Sequence, residues 1–292
     1  LIKTRRFDSR GHAPGFGFMV HLMLCVILLM VALPFIYVVF SSFASKQEIL
    51  TRGFFLLPKV WVIDAYGYLL SNANFLSAFR NAVHITVAGT FINMSMTCLM
   101  AYGLSKTWLK GRRVLNFLVL FTMIFGGGLI PTYLVVKGLH LLNSYWALFL
   151  TAAIAPFNLI VMRSFFQNIP GELEEAARID GCSELGLFLR IVLPLSMPAV
   201  ATFTLFYAVQ NWNTYFNAIL YLNDSARWPL QVFLRQMLIQ AVMSMEREAG
   251  DFEFGPAVKM AAVVLTALPL LVIYPFLQKY FNQGMLLGSV KG

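Results

Sequence analysis

Six stretches of this chain are apolar for long enough to cross a lipid bilayer, and that constrains the fold more than any other feature. They lie near Phe18–Phe40, Asn81–Leu104, Val114–Val136, Ser144–Met162, Pro198–Leu220 and Ala257–Tyr280. Each runs for roughly 20 residues, which at about 1.5 Å of rise per residue matches a hydrocarbon core of about 30 Å. Inside that core every backbone N–H and C=O must be bonded internally, so such segments form helices. The expected fold class is all-α: a polytopic membrane protein with six transmembrane helices. Composition agrees, at 59% hydrophobic and 12% charged residues, a balance foreign to water-soluble domains.

Lys and Arg set the orientation. Lys3, Arg5, Arg6 and Arg10 precede the first stretch, and Lys106, Lys110, Arg112 and Arg113 crowd the tight loop after the second. Arg163, Arg178 and Arg190 surround the loop after the fourth, and Lys279 and Lys291 close the chain. An inside amino terminus gathers all of these on one face, so both termini are expected in the cytoplasm. The first stretch is too long for a signal-peptide core and no small-residue cleavage site follows it, so it reads as a retained anchor. The chain then divides into a cytoplasmic N-terminal segment 1–17, a first transmembrane helix 18–40 and an external loop 41–80. A transmembrane domain 81–281 follows, with a cytoplasmic loop at 167–195 and an external loop at 221–256, before a cytoplasmic tail 282–292. The net charge of +9 fits this bias. The basic residues flank apolar segments instead of forming a stripe, so lipid is the implied partner and nucleic acid is not.

Several function classes lack their chemistry here. All 13 acidic residues fall in loops or in the N-terminal segment. The apolar stretches therefore hold none of the carboxylates that ion-coupled carriers place at mid-membrane, and His21 and His84 read as packing residues. There is no Gly-x-x-x-x-Gly-Lys-Ser/Thr phosphate cradle, so any energy from ATP must be supplied by another chain. Cys25, Cys98 and Cys182 are far apart and suggest neither a disulfide framework nor a metal site. No nucleophile, base or metal constellation can be assembled, which argues against an enzyme. Pro34, Gly126 to Gly128, Pro156 and Pro269 mark kinks or close packing within the helices.

The most specific motif lies in the charged loop. It reads Glu175-Ala176-Ala177, then Asp180-Gly181, then Phe188, Ile191 and Leu193-Pro194. Two short helices joined at a glycine are expected. Pro170 and Gly171 open the first, with Glu172, Glu174 and Glu175 near its positive dipole end and Glu174 four residues before Arg178. Leu173, Ala176 and Ala177 would share a flat face, and Gly181 suits a left-handed helix end. Ser183 can cap the second helix, in which Leu185, Phe188, Leu189 and Val192 form an apolar stripe and Pro194 blocks continuation.

This loop, spacing included, resembles the EAA loop of membrane subunits of binding-protein-dependent ABC importers. The resemblance implies the type I importer permease fold, with Glu175, Ala176, Ala177, Asp180, Gly181, Phe188, Ile191, Leu193 and Pro194 forming the joint that sits in a cleft of the ATPase. It implies a bacterial cytoplasmic (inner) membrane location. The expected partners are a sister permease in a heterodimer, two ATP-binding subunits and an external solute-binding protein. The chain itself would carry no cofactor, ATP and magnesium being bound by the ATPase subunits.

The fifth stretch holds the densest polar and aromatic cluster: Tyr207, Gln210, Asn211, Trp212, Asn213, Tyr215, Asn217 and Tyr221. Amides and aromatic faces suit a carbohydrate path, since hydroxyls need directional partners and a pyranose face stacks on Trp or Tyr. Inter-helix bonding plus an interfacial aromatic belt explains the same cluster, and both readings stay open. Gln210, Asn211, Trp212, Asn213, Tyr215 and Asn217 are the candidate path residues, with Gln210, Asn213 and Asn217 expected on one helix face. Leu129-Ile130-Pro131-Thr132-Tyr133, Leu142 to Leu148 and Trp212-Asn213 resemble maltose-type sugar permeases. Arg227-Trp228-Pro229-Leu230-Gln231 and Leu234-Arg235 are similar to a branch for complex and acidic polysaccharides, which includes the second membrane subunit of alginate importers. The implied solute is an oligo- or polysaccharide. An importer for another solute such as glycerol phosphate, and more remotely an ion-coupled secondary transporter, are the alternatives. The loop 223–255 mixes Arg227, Arg235 and Arg247 with Asp224, Glu246, Glu248, Asp251 and Glu253, so it reads as a solvated docking surface.

Overall fold

The computed structural model describes residues 14–246 and 255–289. The basic residues Lys3, Arg5, Arg6 and Arg10, the loop residues Arg247, Glu248, Asp251 and Glu253, and the last three residues of the expected tail lie outside them. Among the described residues fifteen α-helices run in chain order and no strand occurs. They are α1 Pro14–Ser41, α2 Lys46–Arg52, α3 Asp64–Ser71, α4 Ala73–Ser105, α5 Arg112–Ile124, α6 Leu129–Gly138, α7 Tyr145–Thr151 and α8 Pro156–Gln167. After these come α9 Gly171–Ile179, α10 Glu184–Leu187, α11 Leu193–Leu195, α12 Met197–Trp212, α13 Phe216–Tyr221, α14 Leu230–Glu246 and α15 Pro256–Ser289. A π-helical turn, Phe188–Val192, joins α10 to α11.

Helices begin where a side chain can replace missing backbone partners. Asn72 accepts the N–H groups of Asn74 and Phe75, each at 3.0 Å, and so starts α4 well before the expected Asn81. Ser45 and Ser144 cap α2 and α7 in the same way. Among the described residues, three helices are long and apolar enough to cross a membrane alone, or up to six if each bent pair is one span. The third and fourth stretches are broken instead of continuous. α5 and α6 meet at 117° across Phe125–Gly128, and α7 and α8 meet at 55° ahead of Pro156. The fifth is interrupted too, between Trp212 and Phe216. Its preceding segment, Glu184–Leu195, turns into α12 through 84°.

The two expected external loops carry helices among their described residues. Segment 41–80 contains α2, α3 and the start of α4, and segment 221–256 contains α14. The last helix continues to Ser289, so most of the expected tail is helical.

The fold divides into two compact units, Leu1–Tyr68 with Asp251–Val264, and Leu69–Gly250 with Leu265–Gly292. In the first, Ser42 and Tyr66 share a hydrogen bond of 2.6 Å, and Phe43 lies 5.0 Å from Tyr66 and 5.7 Å from Trp61 between ring centroids. The Glu48 carboxylate accepts the Lys59 N–H at 2.9 Å and pairs with Arg52, which together hold its pKa below the usual carboxylate value. In the second unit α4 is the central element, packed against α8 and α12. Its core joins Met94, Cys98 and Ala101 to Leu159, Met162, Phe203 and Tyr207. Close approach is set by Gly89, where an added Cβ would lie 2.9 Å from Nδ2 of Asn211.

Candidate coupling loop and translocation face

The loop between α8 and α12 folds as the motif requires at its centre. Gly181 is left-handed at φ +78°. Around it Cys182 N–H bonds to Ala177 C=O at 2.9 Å and Gly181 N–H to Arg178 C=O at 3.0 Å, the paired bonds of a Schellman end. Ser183 caps the next helix by accepting Gly186 N–H at 3.2 Å.

Two details correct the sequence reading. Pro194 does not end the second helix. The π-helical turn passes the Phe188 carbonyl to Leu193 N–H, and the helix runs through Pro194 until Ser196. The flat face is also divided. Ala177 is buried with Leu187, Phe188 and Val192, whereas Leu173, Ala176, Leu185 and Leu189 point outward. The π-helical turn adds a residue to the local repeat, so the buried stripe is Leu187, Phe188 and Val192, without Leu185 and Leu189. Ile191 and Leu193 are half-buried against the same core. Glu175, Asp180, Gly181 and Pro194 are exposed.

A charged network unmarked by the motif ties this loop to the end of α4. Buried Glu174 pairs with Lys106 and lies 3.7 Å from Arg178. Arg178 Nε donates to Glu184 at 2.9 Å, and the Tyr102 hydroxyl donates to the other Glu184 oxygen at 3.0 Å. The Lys106 ammonium sits 4.3 Å from the centre of the Tyr102 ring. The Arg178 hydrogen bond holds the Glu184 carboxyl below its usual range, and Glu184 in turn raises Arg178. The sequence offered the Glu174–Arg178 spacing as a signal. Tyr102, Lys106 and Glu184 are recognisable only once the chain is folded.

The polar cluster of the fifth stretch separates into two groups. Asn211 and Trp212 face inward, apart from the other candidates. Asn211 Nδ2 donates to Asn93 at 2.9 Å and to Thr90 at 3.3 Å, and Trp212 Nε1 donates to the Thr266 carbonyl at 3.1 Å. Tyr207 is fully buried, its hydroxyl bonded to Thr97 and accepting the Ala155 N–H, and Tyr221 is buried and stacked on Tyr133. Gln210, Asn213, Thr214, Tyr215, Phe216 and Asn217 instead line one concave cavity of about 220 Å³ with Leu148 and Ala152. They do not share a continuous helix face, because the chain is unwound from Asn213 to Tyr215. The break itself brings them together. Gln231, on α14, donates to Asn213 at 3.2 Å, and Arg235 lies 5.1 Å from the Tyr215 ring centre.

A helical bundle with a short amphipathic loop and a broken span matches, over residues 18–287, the family described as binding-protein-dependent transport system inner membrane component. The chain belongs to that family. It is a transport permease, which sets aside the ion-coupled carrier. This permease is 52% identical, across all of both chains, to the polygalacturonan/rhamnogalacturonan transport system permease protein YtcP of Bacillus subtilis (strain 168). It is also 52% identical to Protein LplC of the same organism, over 89% of each chain. Among solved structures it resembles a chain from the crystal structure of a bacterial ABC transporter involved in the import of the acidic polysaccharide alginate. That likeness has a TM-score of 0.85 and 32% identity, over 92% of this permease and 99% of that chain.

Proposed function

We propose that this chain is the non-catalytic, membrane-spanning permease subunit of an ATP-driven importer for uronate-bearing oligo- or polysaccharides. The observation that carries the reading is the exposed amide face of Gln210, Asn213 and Asn217, set at a break inside an otherwise apolar segment. Such groups are costly against lipid, so they belong against a water-filled path or a second permease. Irregular backbone at membrane depth is tolerated where it lines a cavity, and broken helices build solute sites. Relatives named for galacturonan and alginate transport support a polymer of acidic sugars.

The subunit crosses the membrane six times with both termini in the cytoplasm, beside a sister permease. An external binding protein delivers solute, and two ATPase subunits bind ATP and magnesium. The outward residues Glu175, Ala176, Asp180 and Gly181, flanked by Leu173, Ile179, Leu185 and Leu189, are the ATPase docking surface. Ile179 is 86% exposed, unusual for an isoleucine unless a partner covers it. Ala177, Phe188, Ile191 and Leu193 fasten that surface to the bundle. The test is ATP hydrolysis by the complete reconstituted complex with and without oligogalacturonides. Stimulation by the saccharide is expected, and hydrolysis indifferent to every oligosaccharide offered would reject the reading.

A further inference from the structure

The cavity at the break in the fifth span is neutral on its own helix but not on its neighbour. Gln231 and Arg235 stand four apart on α14 and so share a face of that helix. Gln231 is bonded to Asn213, and Arg235 is set over Tyr215, so the same face borders the cavity wall. Arg235 is exposed, and among the described residues it is in no ion pair. Among the described residues its guanidinium meets the Tyr215 ring, which steers it without satisfying its donors. A guanidinium offers five N–H groups in a planar fork that fits a carboxylate with two parallel bonds. The amides of Gln210, Asn213 and Asn217 suit hydroxyls, and Tyr215 supplies an apolar ring.

We propose that Arg235, with Gln231 and Tyr215, forms a carboxylate-reading subsite that selects the acid group of one uronic-acid unit while the neighbouring amides hold its hydroxyls. This deepens the saccharide reading above and rests on it. Arg235 is a specificity residue here, and the ATPase joint is independent of it.

The test uses the complete transporter in proteoliposomes, with uptake of two oligogalacturonides of equal length, one unesterified and one largely methyl-esterified. Each variant is expressed as a ratio to wild type for each substrate, which cancels the binding protein's own preference. Arg235→Gln should lower uptake of the acidic oligomer roughly tenfold, the size of one charge-assisted hydrogen bond lost, and change the esterified one less than about twofold. Arg235→Lys should fall between, keeping the charge but not the fork. Equal loss for both oligomers, or no loss for either, overturns the subsite while wild-type uptake leaves the saccharide reading standing. A wild-type complex that hydrolyses ATP but imports neither oligomer overturns both.

Discussion

At the scale of single residues, Gly181 and Asn211 carry separable roles. Nothing lies within 4 Å of a Cβ built on Gly181, so a side chain there would meet no clash. Within this chain the penalty is the left-handed backbone, and Gly181→Val should cost roughly 1 kcal/mol or more of local stability. The helix end would then loosen while membrane insertion survives. Co-purification with the ATPase subunits, or transport per ATP hydrolysed, should fall, and unchanged coupling would show that the turn geometry is dispensable. Asn211 differs in kind, because its amide is buried between Asn93 and Thr90. Asn211→Ala should lower stability by about 1–3 kcal/mol by leaving Asn93 short of a partner, seen as a lower melting temperature and equal losses for every solute. Asn213→Ala removes an exposed amide. Its melting temperature should hold while uptake falls by an amount that depends on the sugar, and a sugar-independent loss tracking stability would count against the path.

At the scale of elements, the chain showed where helices exist better than where they break. Pro156 and the run Gly126 to Gly128 mark two breaks openly, but the third has neither proline nor glycine. There Asn213 Nδ2 bonds to the Val209 carbonyl at 2.9 Å and Thr214 Oγ1 approaches the Gln210 carbonyl at 3.4 Å. Short polar side chains compete for helix carbonyls in this way, and the outcome depends on packing that no local pattern displays. The π-helical turn was hidden for a related reason, since a proline says that a carbonyl must be released but not how. Gly181, Ser183 and the pairing of Glu174 with Arg178 were legible because they are local. The Lys106 and Tyr102 arm was not, being separated from the loop by two broken spans. That network makes a pH prediction. The folded pKa of Glu184 is lowered from 4.5, so its contribution is complete above that value and is lost as pH falls below it through the folded pKa. Amide exchange in α9 and α10 should therefore be flat from neutral pH down to about 5, once corrected for intrinsic rates, and accelerate below the carboxylate range. Acceleration already between pH 7 and 6 would point to another group.

At the scale of the whole molecule, the number of crossings decides which face the coupling loop occupies, and the 117° bend between α5 and α6 is where that number is decided. If α5 and α6 together cross once and α7 and α8 cross once more, the loop returns to the face that holds Lys110. If α5 and α6 dip in and return to their starting side, the loop emerges on the opposite face. The Lys and Arg distribution argues for the first, since Lys106, Lys110, Arg112 and Arg113 then share a side with Arg178 and Arg190. Single cysteines introduced into a cysteine-free chain settle it, at Lys59→Cys, Lys110→Cys and Glu172→Cys, all exposed positions. Between Lys59 and Lys110 lie the short α3 and then α4, and α4 is the one of the two long and apolar enough to cross, so the two lysines should label from opposite sides whatever happens later. A membrane-impermeant maleimide should reach Lys59→Cys in intact cells, and Lys110→Cys and Glu172→Cys only after permeabilisation. Labelling of Glu172→Cys from outside, with Lys110→Cys still protected, would make α5 and α6 a re-entrant pair and put the loop beyond the reach of any ATPase.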